Sequence, residues 1–93
     1  MIRSYRDKKV EQIAQGKTPK GFPANLVRGA RQKLALLNRA LDLDDLRIPP
    51  GNRLETLRGD RSGQHSIRIN DQYRLCFVWT EAGPTAAEIV DYH

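Results

Sequence analysis

Cysteine, histidine and aromatic side chains are scarce in this sequence. Among its 93 residues are one cysteine, two histidines and only 6% aromatics. A lone cysteine forms no internal disulfide, and because Cys76 lies inside an apolar run, it is expected to fill the core rather than to act as a nucleophile. With no C-x₂-C or H-E-x-x-H spacing, the sequence predicts no metal site. Without a P-loop, G-x-G-x-x-G or G-x-S-x-G motif, it predicts no bound cofactor.

Long apolar segments are absent too. The longest apolar run, residues 75–79, is far too short to cross a membrane, for which a helix needs about 20 apolar residues. The first residues, MIRSYRDKK, lack the apolar core of a signal peptide. We therefore expect a cytoplasmic protein with no membrane partner, and a chain of this length predicts a single domain over residues 1–93.

Positively charged residues are in excess, and their type changes from lysine to arginine along the chain. Sixteen lysines and arginines against eleven acidic residues leave a formal net charge of +5. All five lysines lie at or before Lys33, whereas every cation from Arg39 onward is an arginine, the side chain that binds phosphate through two parallel hydrogen bonds. This balance favours a polyanionic partner, with chance composition as an equal alternative.

The first half of the chain has the apolar spacing of two helices. Asp7 can cap a helix that runs to about residue 15 and ends at Gly16. A second helix is predicted over 24–41, where apolar residues recur every three or four positions. These apolar residues are Leu26, Ala30, Leu34, Leu37 and Leu41.

Alternating apolar and polar residues replace the helical spacing after Gly51. The alternation predicts an antiparallel meander, and a short apolar stretch at the start of the chain predicts an edge strand. The predicted strands cover residues 2–5, 53–57, 64–69, 73–80 and 85–92. Helices followed by a meander indicate an α+β fold, with an N-terminal strand and two helices packed on one face of a small, mainly antiparallel β-sheet.

Strand register brings charged side chains together. If the N-D-Q turn has three residues, Ile67 pairs with Leu75, and Arg68 lies opposite Arg74 on the other face. Like charges in that position repel, so an anion or a carboxylate is expected to hold them apart. If E-A-G-P is a four-residue loop, Arg74 also pairs with Asp91. The alternative for that pair is a salt bridge that only closes the sheet.

With this register, groups that can donate or accept a proton are expected beside Arg74. They are the side chains of Asp91, Tyr92 and His93. Cleaving RNA requires a base for the 2′-OH proton, a cation for the phosphorane charge and an acid for the leaving 5′-oxygen, while the ribose supplies the nucleophile. The alternative is that these last residues are frayed.

His65 is expected in the core. Arg74 should point away from the core, so that Arg74→Ala opens no cavity and leaves the fold intact.

The stretch PPGNRLETLRGDRSGQHSIRINDQYRLCFVW and the closing EIVDYH resemble the HigB-type toxins, the plasmid maintenance killer branch of the RelE/ParE superfamily. The resemblance covers the whole chain and is densest over residues 49–79. It implies a RelE-like fold and a toxin of a type II toxin–antitoxin system. The implied activity is that of a ribosome-dependent, metal-independent endoribonuclease that cleaves mRNA and inhibits translation. The implied partners are the ribosome with its mRNA and a helix-turn-helix, HigA-like antitoxin, with operator DNA bound only through the antitoxin.

The resemblance also assigns residues to the site. Many family members carry a histidine in an L-H-P-L-K-G stretch, and in this chain Glu55 stands in its place. Either Glu55 takes part in proton transfer or the toxin is weakened. The expected catalytic residues are Arg74, Asp91, Tyr92, His93 and Glu55. Of the expected RNA-binding residues, the resemblance implies Arg58, whereas Arg61 and Arg68 are chosen as arginines of the same half of the chain, the type of side chain that binds phosphate.

Two other functions are compatible with the same fold. One is a non-catalytic module that acts through antitoxin and nucleic-acid binding, as a co-repressor. The other is a ParE-like inhibitor of gyrase, which suits the D-Y-H terminus and Arg74 less well than RNA chemistry does.

Overall fold

The computed structural model describes residues 1–91. Its two helices are α1 (Lys8–Ala14) and α2 (Ala24–Arg39), and they precede the strands β1 (Glu55–Thr56), β2 (His65–Arg68), β3 (Tyr73–Thr80) and β4 (Gly83–Asp91). The strands form an antiparallel sheet in the order β1-β2-β3-β4. Both helices contact this sheet, so the predicted α+β fold is confirmed. No helix within the described residues is long and apolar enough to cross a membrane.

Both helices begin near the predicted residues, but α2 ends earlier. The side chain of Asp7 caps α1 by accepting a hydrogen bond from the backbone N–H of Lys9, at 2.8 Å. Helix α2 stops at Arg39, because the backbone N–H groups of Leu41 and Asp42 donate to the Asp45 carboxylate and the chain enters a separate 3₁₀ turn, Leu43–Arg47, capped by Asp42. Leu41 is consequently 92% exposed, so its predicted place on the buried face of α2 is wrong.

The core lies between the helices and one face of the sheet. Phe77 and Leu75 from β3 and Ile67 from β2 are fully buried against this helical layer. Residues of the two helices that join them include Val10, Ile13, Ala30, Leu34 and Leu37. On the opposite face of β3, Cys76 is also fully buried. Burial raises the pKa of its thiol, so Cys76 fills space as predicted.

The amino-terminal segment lies beside β4 without forming a regular strand. Arg3 donates its backbone N–H to Pro84 at 2.7 Å, and Arg6 donates to Ala87 at 3.0 Å. A single parallel bridge joins Tyr5 to Ala87. The strand predicted over residues 2–5 is therefore reduced to one bridge, because β4 bulges where a regular ladder would continue.

The predicted register between β2 and β3 is confirmed. Ile67 pairs with Leu75, and Arg68 lies opposite Arg74. In the turn between these strands, the side chain of Asn70 accepts hydrogen bonds from the backbone N–H groups two and three residues later, both at 2.8 Å. Such a side-chain bridge is the usual reason why asparagine favours turns, and it fixes the register of the hairpin.

The predicted register between β3 and β4 is wrong by one residue. Thr80 pairs with Gly83, so the turn between the strands has two residues rather than four. Farther along, β4 contains one extra residue, at a bulge where Ala86 adopts a positive φ of 54°. The shorter turn and the bulge together place Val90, and not Asp91, opposite Arg74.

A one-residue shift changes which face of the sheet each β4 side chain occupies. Asp91 now lies opposite Tyr73, on the other face from Arg74. The β4 carboxylate that shares the face of Arg74 is instead Glu88, which lies opposite Cys76. Glu88, which was not predicted as a site residue, pairs on this face with Arg6 and Arg61.

Gly83 provides a test of how β4 is held against the start of the chain. Its φ is +119°, and an added Cβ would lie 2.8 Å from the carbonyl oxygen of Met1. We expect Gly83→Ala to lower the free energy of unfolding by about 1–3 kcal/mol, measured by urea denaturation followed by circular dichroism. The matched control is Gly51→Ala, because a Cβ at Gly51 would have no neighbour within 4 Å. Equal unfolding midpoints for the two variants would contradict this account.

Candidate active site

A cleft of about 300 Å³ lies at the end of the sheet where β2 turns into β3. Three arginines, two carboxylates and one amide side chain line it. These residues are Arg53, Glu55, Arg68, Asn70, Asp71 and Arg74. The cleft therefore brings together three of the site residues predicted from the sequence, namely Glu55, Arg68 and Arg74.

Arg74 is buried in the wall of this cleft, with only 6% of its surface exposed. Its Nε donates to the hydroxyl of Ser66 at 2.8 Å, and its Nη2 donates to the backbone carbonyls of Ser66, at 3.4 Å, and of Arg53. Its Nη1 lies 3.8 Å from the Glu55 carboxylate. Arg74 thus ties strand β3 to β2 and to the loop that precedes β1.

The burial of Arg74 corrects one expectation from the sequence. Its side chain does leave the face that carries Leu75, as predicted, but it enters a second packed layer rather than open space. The expectation that Arg74→Ala opens no cavity is therefore wrong, while the expectation that the variant keeps its fold stays a prediction. The alternation of the strand shows which face a side chain occupies and not what covers that face.

Arg68 avoids its like-charged neighbour by pairing with Asp71 in the hairpin turn. The Asp71 side chain is 98% exposed, so water screens this ion pair. Arg74, directly opposite, turns towards Ser66 instead. The carboxylate that sequence analysis expected beside these two arginines is thus provided mainly by Asp71.

Glu55 lies on β1 at the opposite wall of the cleft, with its side chain 48% exposed. The next residue, Thr56, contacts Nδ1 of His65 through its hydroxyl at 3.2 Å. The His65 ring also lies 6.1 Å from the ring of Phe77, and burial lowers its pKa, which favours the neutral imidazole. His65 packs beside Phe77 but is only half-buried, so its predicted place inside the core is wrong. Glu55 is the carboxylate of this strand that the cleft exposes.

The other predicted RNA-binding arginines, Arg58 and Arg61, do not line the cleft. Arg61 donates to Gln64 at 3.1 Å and lies 3.3 Å from the carboxylate of Glu88. The same carboxylate lies 3.5 Å from Arg6. Arg58 is exposed at the start of the Gly59–Arg61 turn. Arg61 thus joins the loop to β4, whereas Arg58 projects from the surface.

Asp91 ends the described part of β4, near the hairpin turn. Its carboxylate accepts a hydrogen bond from the side-chain amide of Gln72 at 3.0 Å. Tyr92 and His93, the other two residues predicted at this end of the site, lie outside the described residues.

Sequence analysis missed Arg53, Asp71 and Ser66 as parts of the site. Arg53 adopts a left-handed backbone conformation, with φ 47° and ψ 58°, although residues with a Cβ seldom do so. The P-P-G-N stretch indicated a turn but not which residue would carry that conformation. The N-D-Q-Y-R turn did offer a signal for Asp71, since it connects two strands that each carry an arginine.

Among residues 1–91, no three His, Cys, Asp or Glu side chains come together as a group that could hold a metal ion. The cations that line the cleft are Arg53, Arg68 and Arg74. Their chemistry is that of guanidinium groups, which bind phosphate oxygens in a fixed, planar geometry.

Comparison with known proteins gives concordant results. The model of the HigB-like toxin family, described as the RelE-like toxin of type II toxin-antitoxin system HigB, matches residues 3–93. The chain is 42% identical over 82 residues to Toxin HigB-1 of Vibrio cholerae, covering 87% of this chain and 86% of that protein. It is 26% identical to Endoribonuclease HigB of Proteus vulgaris over 93 residues, the full length of both. The crystal structure of YafQ from E. coli has the same fold, with a TM-score of 0.64, 15% identity, and coverage of 98% of this chain and 91% of that one.

The contacts of Arg74 predict a large effect on stability. Removing a buried, hydrogen-bonded guanidinium leaves the carbonyl of Arg53 and the hydroxyl of Ser66 without their donor. We expect Arg74→Ala to lower the free energy of unfolding by about 2–4 kcal/mol in urea denaturation. The control Arg58→Ala removes the same charge from an exposed site and should change stability by less than about 0.5 kcal/mol. Similar urea midpoints for both variants would show that the buried contacts of Arg74 do not stabilise the fold.

Proposed function

Because the chain belongs to the HigB-like family of RelE-like toxins of type II toxin–antitoxin systems, we propose that it is a ribosome-dependent endoribonuclease that cleaves mRNA and so inhibits translation. The name of the Proteus vulgaris relative, an endoribonuclease, supports this activity. The observation that carries the proposal is the arginine-lined cleft. It places Arg53, Arg68 and Arg74 around a space of about 300 Å³ that is open to solvent, with the Glu55 carboxylate at its wall.

The chemistry needs nothing from the protein except charge and proton transfer. The 2′-oxygen of the ribose attacks the adjacent phosphorus, and the bond from phosphorus to the 5′-oxygen breaks. The proton of the 2′-OH passes to a base on the protein, and an acid on the protein donates a proton to the leaving 5′-oxygen. Negative charge accumulates on the phosphorane between these steps, and in this proposal the guanidinium groups of the cleft stabilise it.

Several groups are candidates for the base and the acid. Glu55 faces the cleft and is partly exposed, so it can accept a proton there. Asp91 ends β4 beside the hairpin turn that contributes Asp71 to the cleft. We assign the second proton carrier to His93, because an imidazole side chain can exchange a proton near neutral pH, and we count Tyr92 among the catalytic residues.

The family implies an antitoxin partner. We propose that this partner is a HigA-like helix-turn-helix protein, that operator DNA is contacted only through it, and that the toxin acts in the cytoplasm. The basic charge of the chain suits a polyanionic target, and an arginine-lined cleft suits the phosphate of a nucleic acid.

The activity is tested by expressing the chain alone and with its neighbouring gene, and by mapping cleavage in vitro. We expect growth arrest that the neighbouring gene relieves, and cleavage of mRNA bound in programmed ribosomes. Naked oligonucleotides should stay intact at micromolar enzyme, because a chain with 6% aromatics has few platforms on which single-stranded bases can stack. Growth arrest without mRNA cleavage would favour a gyrase inhibitor, and efficient cutting of naked RNA would contradict ribosome dependence.

Deleting His93 tests its assignment as a proton carrier. We expect the saturated, single-turnover rate of cleavage on ribosomes to fall by about 10²- to 10⁴-fold, and its pH profile to change, because a general acid or base contributes about this much. The control is Arg3→Ala, which removes an exposed charge at the far end of β4 and should leave the rate unchanged. A deletion variant that binds more weakly yet cleaves at the wild-type saturated rate would reduce His93 to an RNA contact.

A further inference from the structure

Arg53 differs from the other two arginines of the cleft, because its guanidinium makes no hydrogen bond or ion pair within residues 1–91. Arg74 donates to Ser66 and to the Arg53 carbonyl, and Arg68 is paired with Asp71. Within residues 1–91, no hydrogen bond or ion pair engages the guanidinium of Arg53, although the residue lines the cleft and is exposed. A ligand that enters the cleft would therefore meet Arg53 as the cation that has no competing partner in the described part of the chain.

The backbone of Arg53 is held in a conformation that a residue with a Cβ adopts at a cost. The left-handed region, where Arg53 lies with φ 47° and ψ 58°, costs such a residue about 1–2 kcal/mol. Glycine would adopt the same conformation without this cost. The guanidinium of Arg53 has no hydrogen bond or ion pair within residues 1–91, and an unfavourable backbone conformation at such a side chain is a reason to look for a role in binding.

The surrounding contacts fix this conformation on both sides. The N–H of Arg53 donates to the carbonyl of Pro50 at 3.1 Å, and its own carbonyl accepts from Arg74. The preceding residue, Asn52, is fully buried and donates to the carbonyl of Leu46 at 3.1 Å. The position of Arg53 is therefore determined by buried groups, even though its side chain is exposed.

A cation on α2 is connected to the same support. The ammonium group of Lys33 donates to the side-chain oxygen of Asn52. Burial lowers the pKa of Lys33, and the positive charge of Arg68 lowers it further. Lys33 of α2 thus adds a positive charge next to Asn52, the residue before Arg53, and Arg68 of β2 adds one in the cleft.

We propose that Arg53 binds the phosphodiester of the RNA in the cleft through its guanidinium, and that the buried Arg74 is the residue that positions it. This inference rests on the proposed endoribonuclease function, whose site it completes. Arg53 contacts the substrate phosphate directly. Arg74 holds the Arg53 carbonyl, so that the exposed guanidinium projects into the cleft at a fixed place. Arg68 is a second donor once a phosphate takes the place of the screened Asp71 carboxylate.

The left-handed backbone allows a sharp test with Arg53→Gly. Glycine removes the guanidinium and also relieves the backbone cost, so the variant should unfold at the same or a higher urea concentration than the wild type. Its kcat/KM for ribosome-bound mRNA should nevertheless fall by about 10- to 100-fold, the usual weight of a charged hydrogen bond. Arg53→Lys, which keeps the charge but not the planar pair of donors, should lie between the wild type and Arg53→Gly.

The control is Arg3→Gly, which removes an exposed arginine at the other end of the sheet and should cleave like the wild type. Normal cleavage by a folded Arg53→Gly variant would overturn the proposal. So would a loss of activity that only follows a loss of stability, since Arg53 would then be structural.

A binding experiment separates this proposal from the proposed function. A short single-stranded DNA oligonucleotide carries phosphodiesters but no 2′-OH, so it cannot be cleaved by this chemistry. Titrating it into the full chain should shift the Nε–Hε NMR resonance of Arg53 but not that of Arg3. If the wild type shows this shift and cleaves no mRNA, the endoribonuclease function fails and the phosphate site stands. If the Arg53 resonance does not move, the phosphate site fails.

Discussion

The buried guanidinium of Arg74 is the constraint on which the site depends. Taking a charged group out of water is costly, and the cost is recovered only if its donors find well-placed acceptors. Arg74 finds them on Ser66 of β2 and on the carbonyl of Arg53. Because these acceptors belong to different segments, one side chain fixes β2, β3 and the loop before β1 relative to each other. The shape of the cleft follows from that arrangement.

Much of the fold could be predicted from the sequence, because it depends on local chemistry. The helices follow from apolar spacing and from Asp7 as a cap, and the β2–β3 register follows from the Asn70 turn together with the alternation of Ile67 and Leu75. The β3–β4 register could not be predicted in this way. It depends on a two-residue turn and on a bulge at Ala86, and neither leaves a distinctive residue pattern in the sequence.

Most residues of the cleft could not be placed from the sequence, although three of them could be named as site residues. Strand register selected Arg68 and Arg74, and the resemblance to HigB-type toxins selected Arg74 and Glu55; the cleft does bring these three together. Alternation along β3 placed Arg74 on the correct face, but it could not show that the loop before β1 covers that face. For the same reason Arg53 was missed, since its importance comes from a backbone conformation that is imposed by distant buried groups. The different contacts of the three cleft arginines are visible only in three dimensions.

The docking of the first residues against β4 has a consequence for how the molecule folds. The hydroxyl of Ser4 contacts that of Thr85, a pair separated by 81 positions, and Ser4 also accepts the backbone N–H of Ala86 at 2.9 Å. Contacts of such large sequence separation carry a high loop-closure entropy and are typical of slowly folding topologies. The β2–β3 hairpin, by contrast, closes over a few residues. We therefore expect the β2–β3 hairpin, which carries Arg68 and Arg74, to form early in folding. The cleft should be completed only later, when the start of the chain docks against β4.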